Sequence, residues 1–316
     1  MPTAKKTKTV KAQCVAVVDI GSNSVRLVLY KRVGKRYECV KDKKSTCRLA
    51  LGMNHLRPAL NPQGMKRTLQ TLQAFKGIIQ KNRVSKVLAI ATAAMRAVAP
   101  TSAGKAFHRK AEKALGHKIE IVSGRQEARL TAYGLISFMP KAVGICGDLG
   151  GGSLELAAID HGRVLHTSTV AIGTLTLLSE TRGDPLVTEH LINRRMRDVD
   201  WLQQAQGRNF YAIGGSWRAV GRLMMKKLGV SSKPVHGFAI QSRLASSYAL
   251  AIARQNSDDF QHMPAKISHR ADIIPGAAAT LAKLIALIKP RRIIFSGHGV
   301  RDGLVLRHTR KTGDNL

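Results

Sequence analysis

Two short runs in this chain carry residue types suited to holding a phosphate. The first, Val17-Val18-Asp19-Ile20-Gly21-Ser22-Asn23-Ser24-Val25-Arg26-Leu27, reads as a buried strand ending in aspartate, a small-residue turn and a second strand. The second, Ile145-Cys146-Gly147-Asp148-Leu149-Gly150-Gly151-Gly152-Ser153-Leu154-Glu155-Leu156, repeats the pattern D-[IL]-G-x-x-S-[VL]-x-L. Glycine and serine let backbone N–H groups approach an anion closely, and an aspartate at a strand end can hold a cation. The hydroxyls of Ser22, Ser24 and Ser153 and the amide of Asn23 are further donors. A single such turn also reads as an ordinary β-hairpin. Two copies in matching contexts point to a duplicated fold with two loops facing one phosphate. Neither is a Walker loop, and neither opens a dinucleotide-binding βαβ unit.

The carboxylates near these loops are the next candidates. Asp148 and Glu155 flank the second loop, and Asp19 closes the strand before the first. One or two carboxylates plus phosphate oxygens is the usual way to hold magnesium. The bland alternative puts Glu155 on a solvent-facing strand. Glu155 stands at the repeat position that the first copy fills with Arg26, so the copies differ in charge, as one working site between two halves would require. In Ser123-Gly124-Arg125-Gln126-Glu127, Ser123 with Gln126 forms a capping box at a helix start. Glu127 is then either an acid favoured by the helix dipole or a general base that takes a proton from water. Arg96, just past a strand end, has a guanidinium able to take two phosphate oxygens, or it is a solvated surface group. The same pair of readings applies to Arg26 and Arg270. Gly214-Gly215-Ser216 and Ser296-Gly297-His298-Gly299 are two further strand-to-helix turns, each either an anion site or plain turn chemistry.

The elements that must position these groups repeat in order. Val15 to Ile20 and Val25 to Tyr30 are strands, and a turn at Val33-Gly34-Lys35 leads into Tyr37 to Val40. Leu69, Leu72, Phe75, Ile78 and Ile79 recur at helical spacing and predict a helix over Gly64 to Asn82. Val87 to Ala91 is a strand, 102 to 115 a helix, and Ile119 to Val122 a strand. The second half has strands at Val143 to Leu149, Leu154 to Ile159 and Val164 to Val170. Helix near 188–206, a strand at Tyr211 to Ile213, a helix beginning near Pro275 and a last strand at Ile293 to Phe295 follow. The two repeat aspartates lie 129 residues apart, which fits one domain per half. The expected domains are 1–130 and 131–316, with a hinge near 123–142 and a last helix that can pack back on the first domain.

Bulk properties narrow the partners. A length of 316 residues suggests two domains, and 44% hydrophobic with 22% charged residues is a globular composition. Fifty-two Lys and Arg against 19 Asp and Glu give a net charge of +33. So large an excess repels itself unless a polyanion is present. The Lys5-Lys6-Thr7-Lys8 run is expected to be a frayed arm. Aromatic residues make up only 4% of the chain, which counts against base stacking on single-stranded nucleic acid. Nucleic acid is therefore expected only as a non-specific partner. Cys14, Cys39, Cys47 and Cys146 form no C-x-x-C pair and read as reduced, mostly buried thiols, without a metal site. No signal peptide or stretch approaching a membrane span is evident, so no membrane partner is expected and the cytosol is the default.

On these residues the chain resembles the exopolyphosphatase and guanosine pentaphosphatase (Ppx/GppA) phosphatases of the actin, sugar kinase and Hsp70 superfamily. The matching segments are DIGSNSVRL at 19–27, ATAAMRA at 91–97, SGRQEARL at 123–130 and DLGGGSLEL at 148–156, followed by GGSWRAVGRL at 214–223, RADIIPGA at 270–277 and SGHGVRDGL at 296–304. The resemblance implies an α/β fold of two ribonuclease-H-like domains with a cleft between them. It also implies magnesium-dependent release of terminal phosphate from inorganic polyphosphate, with a nucleotide pentaphosphate as the alternative substrate. By the same resemblance Glu127 matches the catalytic glutamate, and Asp148 and Glu155 match acids associated with metal and water. Gly21, Ser22, Asn23, Ser24, Arg96, Gly150, Gly151, Gly152, Ser153 and Arg270 match positions near the phosphates. The family often has two adjacent acids where this chain has Gln126-Glu127, and Thr or Ser where it has Leu154. Longer relatives carry extra C-terminal helical domains that this chain is expected to lack, and a homodimer is what the family suggests.

Overall fold

The computed structural model describes residues 14–34, 36–53 and 58–311. The basic arm around Lys5 and residue Lys35 of the expected turn lie outside the described residues. In the first half, β1 (Cys14–Ile20), β2 (Ser24–Val33) and β3 (Arg36–Thr46) form an antiparallel meander. Helix α1 (Pro62–Lys81) then carries the chain across to β4 (Lys86–Ala91), which pairs parallel to β1. Helices α2 (Ala93–Val98) and α3 (Ser102–Leu115) lead to the two-residue β5 (Glu120–Ile121), giving the order β3-β2-β1-β4-β5.

Local chemistry explains these boundaries. Asn61 caps α1 through a 2.8 Å bond from the Gly64 amide, and Pro62 follows where a missing N–H costs nothing. Thr68, Leu72, Phe75 and Ile79 form its buried stripe. Thr101 caps α3, and Gly116, at φ 76°, ends it in the left-handed conformation.

Helix α4 (Gly124–Phe138) opens on the expected capping box between Ser123 and Gln126. It fills most of the segment 123–142, and position 130 lies within it. The second half then repeats the plan. Strands β6 (Gly144–Leu149), β7 (Leu154–Asp160) and β8 (Arg163–Val170) form another meander. Helices α5 (Thr174–Thr181) and α6 (Pro185–Met196), then a 3-10 turn over Asp200–Ala205, lead to β9 (Asn209–Ile213), parallel to β6. After α7 (Gly215–Lys227) come β10 (Ala239–Gln241), α8 (Ser242–Ala253), and the short α9 (Asp258–Gln261) and α10 (Ala265–Ser268). Helix α11 (Ile274–Ile288), β11 (Arg292–Phe295) and α12 (Val300–Lys311) complete the chain, and the second sheet has the order β10-β11-β9-β6-β7-β8.

Each sheet packs its own helices. Leu72, Phe75, Phe107 and Leu115 cover the first sheet, while Trp217, Leu223, Leu281 and Leu284 cover the second. Helix α12 belongs to the second half in sequence but seats Val300, Leu304 and Val305 against Val17, Val28 and Tyr30 of the first sheet. It also packs along α4. Arg48 and Asp272 tie the halves together again with bonds of 2.6 and 2.9 Å. Two sequence expectations need correction. The stretch Ala271–Ile288 is, at 18 residues, long and apolar enough to cross a membrane, although 61% of it is buried inside the fold. Cys39 is exposed and Cys14 half-buried, so only Cys47 and Cys146 are buried thiols.

Candidate active site

The two glycine loops have the same backbone. The Gly21 amide donates to Ser24 O at 3.0 Å, and the Gly150 amide donates to Ser153 O at 2.9 Å. The strand registers match as well: Asp19 faces Arg26 across β1 and β2, and Asp148 faces Glu155 across β6 and β7. The loops also touch. A Cβ on Gly152 would come within 2.6 Å of Ser22 Oγ and 2.9 Å of Ala93 Cβ, so only glycine permits the approach. Together they line a cleft of about 130 Å³ that brings Asp19, Ser22, Asn23, Ser24 and Arg26 together with Glu127, Asp148, Ser153 and Glu155.

Helix starts complete the walls. Gly214, Gly215 and Ser216 at the head of α7, Thr174 at the head of α5, and Val300 and Arg301 at the head of α12 all line the cleft. Backbone N–H groups and the positive dipole end favour an anion there. Gly214 has φ 106°, and a Cβ would meet Leu149 O at 2.6 Å and Asp148 Oδ1 at 2.9 Å. Any side chain there would strain the backbone and crowd Asp148.

The acids gather around Arg96. Its Nη1 donates to Glu127 Oε2 at 2.8 Å and to Val122 O at 2.9 Å. Its Nη2 reaches Glu155 Oε1 at 3.4 Å. Glu155 is 2% exposed, and the same oxygen accepts from Ser153 Oγ at 2.5 Å and Thr169 Oγ1 at 2.9 Å. Burial raises the Glu155 pKa to about 7, against the pull of Ser153 and Arg96. Burial and the neighbouring Glu155 charge push Glu127 well above the usual carboxylate range, with Arg96 opposing. Asp148 is also raised, chiefly by burial. Carboxylates so starved of water hold their charge only with a cation or donor beside them.

The placement of individual residues sharpens the sequence picture. Arg96 lies behind the acids, with its donors spent on Glu127, Val122 and Glu155, and it is not among the cleft-lining residues. Arg26 lines the cleft while paired through two bonds with Asp42, one of them 2.7 Å. Arg270 lies against Gly215. Asp19 is already bound: Arg301 donates to its Oδ2 at 2.8 Å. Asn23 Oδ1 is buried without a hydrogen-bond partner among the described residues.

Sequence reasoning passed over Lys44, Arg218 and Arg301, all of which line the cleft. Arg218 and Arg301 stood inside matched segments, but no spacing rule marks an arginine that meets Gly297 from 79 residues away or Asp19 from 282. No sequence signal marked Lys44, because the expected strand stops at Val40 and its place opposite Arg26 comes from the longer β3.

Among the described residues no cluster of three His, Cys, Asp or Glu side chains forms a metal cage. Asp19 is held by Arg301, and Glu155 Oε1 already accepts three donors. Asp148 has a single long contact, 3.5 Å from Thr131 Oγ1. That donor set fits a magnesium ion which takes one or two carboxylates and draws its remaining ligands from phosphate and water.

The sequence profile of the Ppx/GppA phosphatase family matches residues 27–312. The chain belongs to that family. It is 24% identical over 300 residues to the guanosine-5'-triphosphate,3'-diphosphate pyrophosphatase of Aeromonas hydrophila, covering 92% of this chain and 58% of that protein. The corresponding protein of Aeromonas salmonicida matches to the same extent, so the chain spans somewhat over half the length of these relatives. Among solved structures, an exopolyphosphatase from Cytophaga hutchinsonii superposes with a TM-score of 0.84 at 18% identity, over 95% of this chain and 98% of that one. The Ppx/GppA family member from Aquifex aeolicus superposes with a TM-score of 0.74 at 21% identity, over 95% and 98% of the two chains. The two sheets therefore follow the two-sheet fold of these Ppx/GppA structures, and the family is one of phosphatases.

Proposed function

We propose that the protein is an exopolyphosphatase, releasing orthophosphate from the end of inorganic polyphosphate by attack of a water that Glu127 orients and deprotonates. The observation that carries this reading is the convergence of Glu127, a glutamate with a raised pKa, with two glycine loops suited to an anion in a single cleft. Phosphoryl transfer asks chiefly for positioning and charge stabilisation. The amides of Ser22 and Asn23 and of Gly151 to Ser153, with the helix starts at Gly215 and Val300, would hold the terminal phosphate. Turning the Asn23 amide places its Nδ2 donor where the unpartnered oxygen now lies. Arg96 would hold Glu127 in place and keep enough of it ionised to act as a base. Asp148, with Glu155 beside it, would hold magnesium. Bound there, the ion would neutralise charge developing on the phosphoryl oxygens.

Polyphosphate rather than a guanosine nucleotide is favoured by the lining. None of the described residues lining the cleft is aromatic, so no ring offers a stacking face to a base. The net charge of +33 suits a long polyanion better than a single nucleotide. Phosphate release from polyphosphates of graded length and from guanosine pentaphosphate, each with and without magnesium, tests the reading. Faster release from the nucleotide would transfer the assignment to that substrate, and no release from either would end it.

A further inference from the structure

The outer helical layer of the first half carries cations with hardly an acid among them. No Asp or Glu occurs between Asp42 and Glu112, the stretch that supplies α1 and most of α3. The two helices pack against each other and over Val18 and Ile20 of β1, while α12 covers Val17 on the opposite face of the sheet. Along α3, Lys105, Arg109 and Lys113 follow at four-residue steps, so they stand on one exposed line. Helix α1 adds the exposed Lys66 and Lys81. The Lys76 side chain of α1 lies against Gly116 at the end of α3, so the cations of the two helices adjoin.

Like charges four residues apart cost helix stability. The one acid of α3 does not relieve them. Glu112 accepts from the Ile119 amide at 3.0 Å and from Lys118 Nζ at 3.4 Å, with His108 at 3.9 Å. Among the described residues, Lys105, Arg109 and Lys113 have no ion pair. The helices over the second sheet differ, because Glu189, Asp258 and Asp259 stand exposed on them.

The chemistry of this face selects its partner. Neither α1 nor α3 exposes a large apolar side chain, so nothing there can enter a bilayer. Phe75 and Phe107 are buried, so no ring on these helices offers a stacking surface to single-stranded bases. A rigid array of fixed cations remains, complementary to a stiff backbone of regularly spaced phosphates.

We propose that the outer face of α1 and α3 docks double-stranded nucleic acid through its phosphate backbone, without reading sequence. No residue of either helix lines the catalytic cleft, so the inference stands whatever the cleft hydrolyses. Lys105, Arg109 and Lys113 each neutralise a phosphate and release its counterion.

The test measures binding of a mixed-sequence duplex DNA to the full chain over a range of sodium chloride. Two triple variants each remove three exposed cations. One is Lys105→Gln, Arg109→Gln and Lys113→Gln on α3; the other is Arg163→Gln, Lys227→Gln and Arg243→Gln in the second half. Their net charges are equal, so bulk charge drops out of the comparison. The α3 variant should flatten the slope of log affinity against log salt by about 2.7, about 0.9 for each lost phosphate contact. It should also weaken binding at low salt by at least roughly tenfold. The second-half variant should change both little, and circular dichroism should show the same helix content in all three proteins. Equal losses in the two variants, or no binding of duplex by the unaltered chain, overturn the proposal. It is also overturned if the α3 variant loses binding to long polyphosphate or to anionic vesicles while duplex binding is unchanged, which gives the face to that partner instead.

Discussion

The loop at Asp19 and the loop at Asp148 share a hydrogen-bonded turn and a strand register, yet they bear opposite charges. Across from Asp19 stands Arg26, and across from Asp148 stands Glu155. Asp19 is neutralised by Arg301, whereas Asp148 has no ion-pair partner among the described residues and loss of hydration raises its pKa. A duplicated backbone therefore supplies two anion-binding turns, and side-chain divergence makes one a grip and the other an acid pocket. Symmetry sets where a phosphate sits; asymmetry sets where a proton and a metal ion can go.

The most severe way to break this comparison lies between the loops. Glu127→Gln should lower phosphate release on the order of a thousandfold, the middle of the range for a lost general base. Polyphosphate binding without magnesium should stay near the unaltered value. Retained turnover would remove Glu127 from the mechanism.

Substituting the two aspartates in parallel sharpens the contrast. Asp148→Asn should lower turnover about a hundredfold and weaken magnesium binding in a calorimetric titration. Asp19→Asn should leave magnesium affinity intact but strand the Arg301 guanidinium, costing about 3 kcal/mol in a urea melt. If both variants lose magnesium equally, the two loops share the ion and the division of labour fails.

The smallest effect concerns Arg96. Water activation needs ionised Glu127, so activity should fall as pH drops through a pKa held above the ordinary carboxylate range. Arg96 opposes that rise, so Arg96→Met should move the acid limb of the kcat/KM profile to higher pH. An arginine that only gripped phosphate would raise KM and leave the limb in place.

Much of the fold was legible because it depends on local pattern. The stripe from Leu69 to Ile79 predicts a helix within two residues of the observed Pro62–Lys81, and Ser123 with Gln126 marks the start of α4. Less legible were the elements that tertiary packing extends or trims. Strand β3 runs on through Lys43 and Lys44 to Thr46 because β2 offers it a pairing edge, although those lysines have little β propensity. The strand expected over Ile119 to Val122 shrinks to Glu120–Ile121, and α5 and α8 are not among the expected elements.

The same division runs through the site. Sequence by itself determined the two loops, their repeat and the charge difference at Arg26 and Glu155, because these follow from residue order within a hairpin. Only the tertiary structure decided that Arg301 returns from the last helix to occupy Asp19, and that Arg96 serves the carboxylates. It also decided that Lys44 and Arg218 meet in one wall. A long, flexible cation finds its partner by proximity in the folded chain, and proximity across two hundred residues leaves no periodic trace in the sequence.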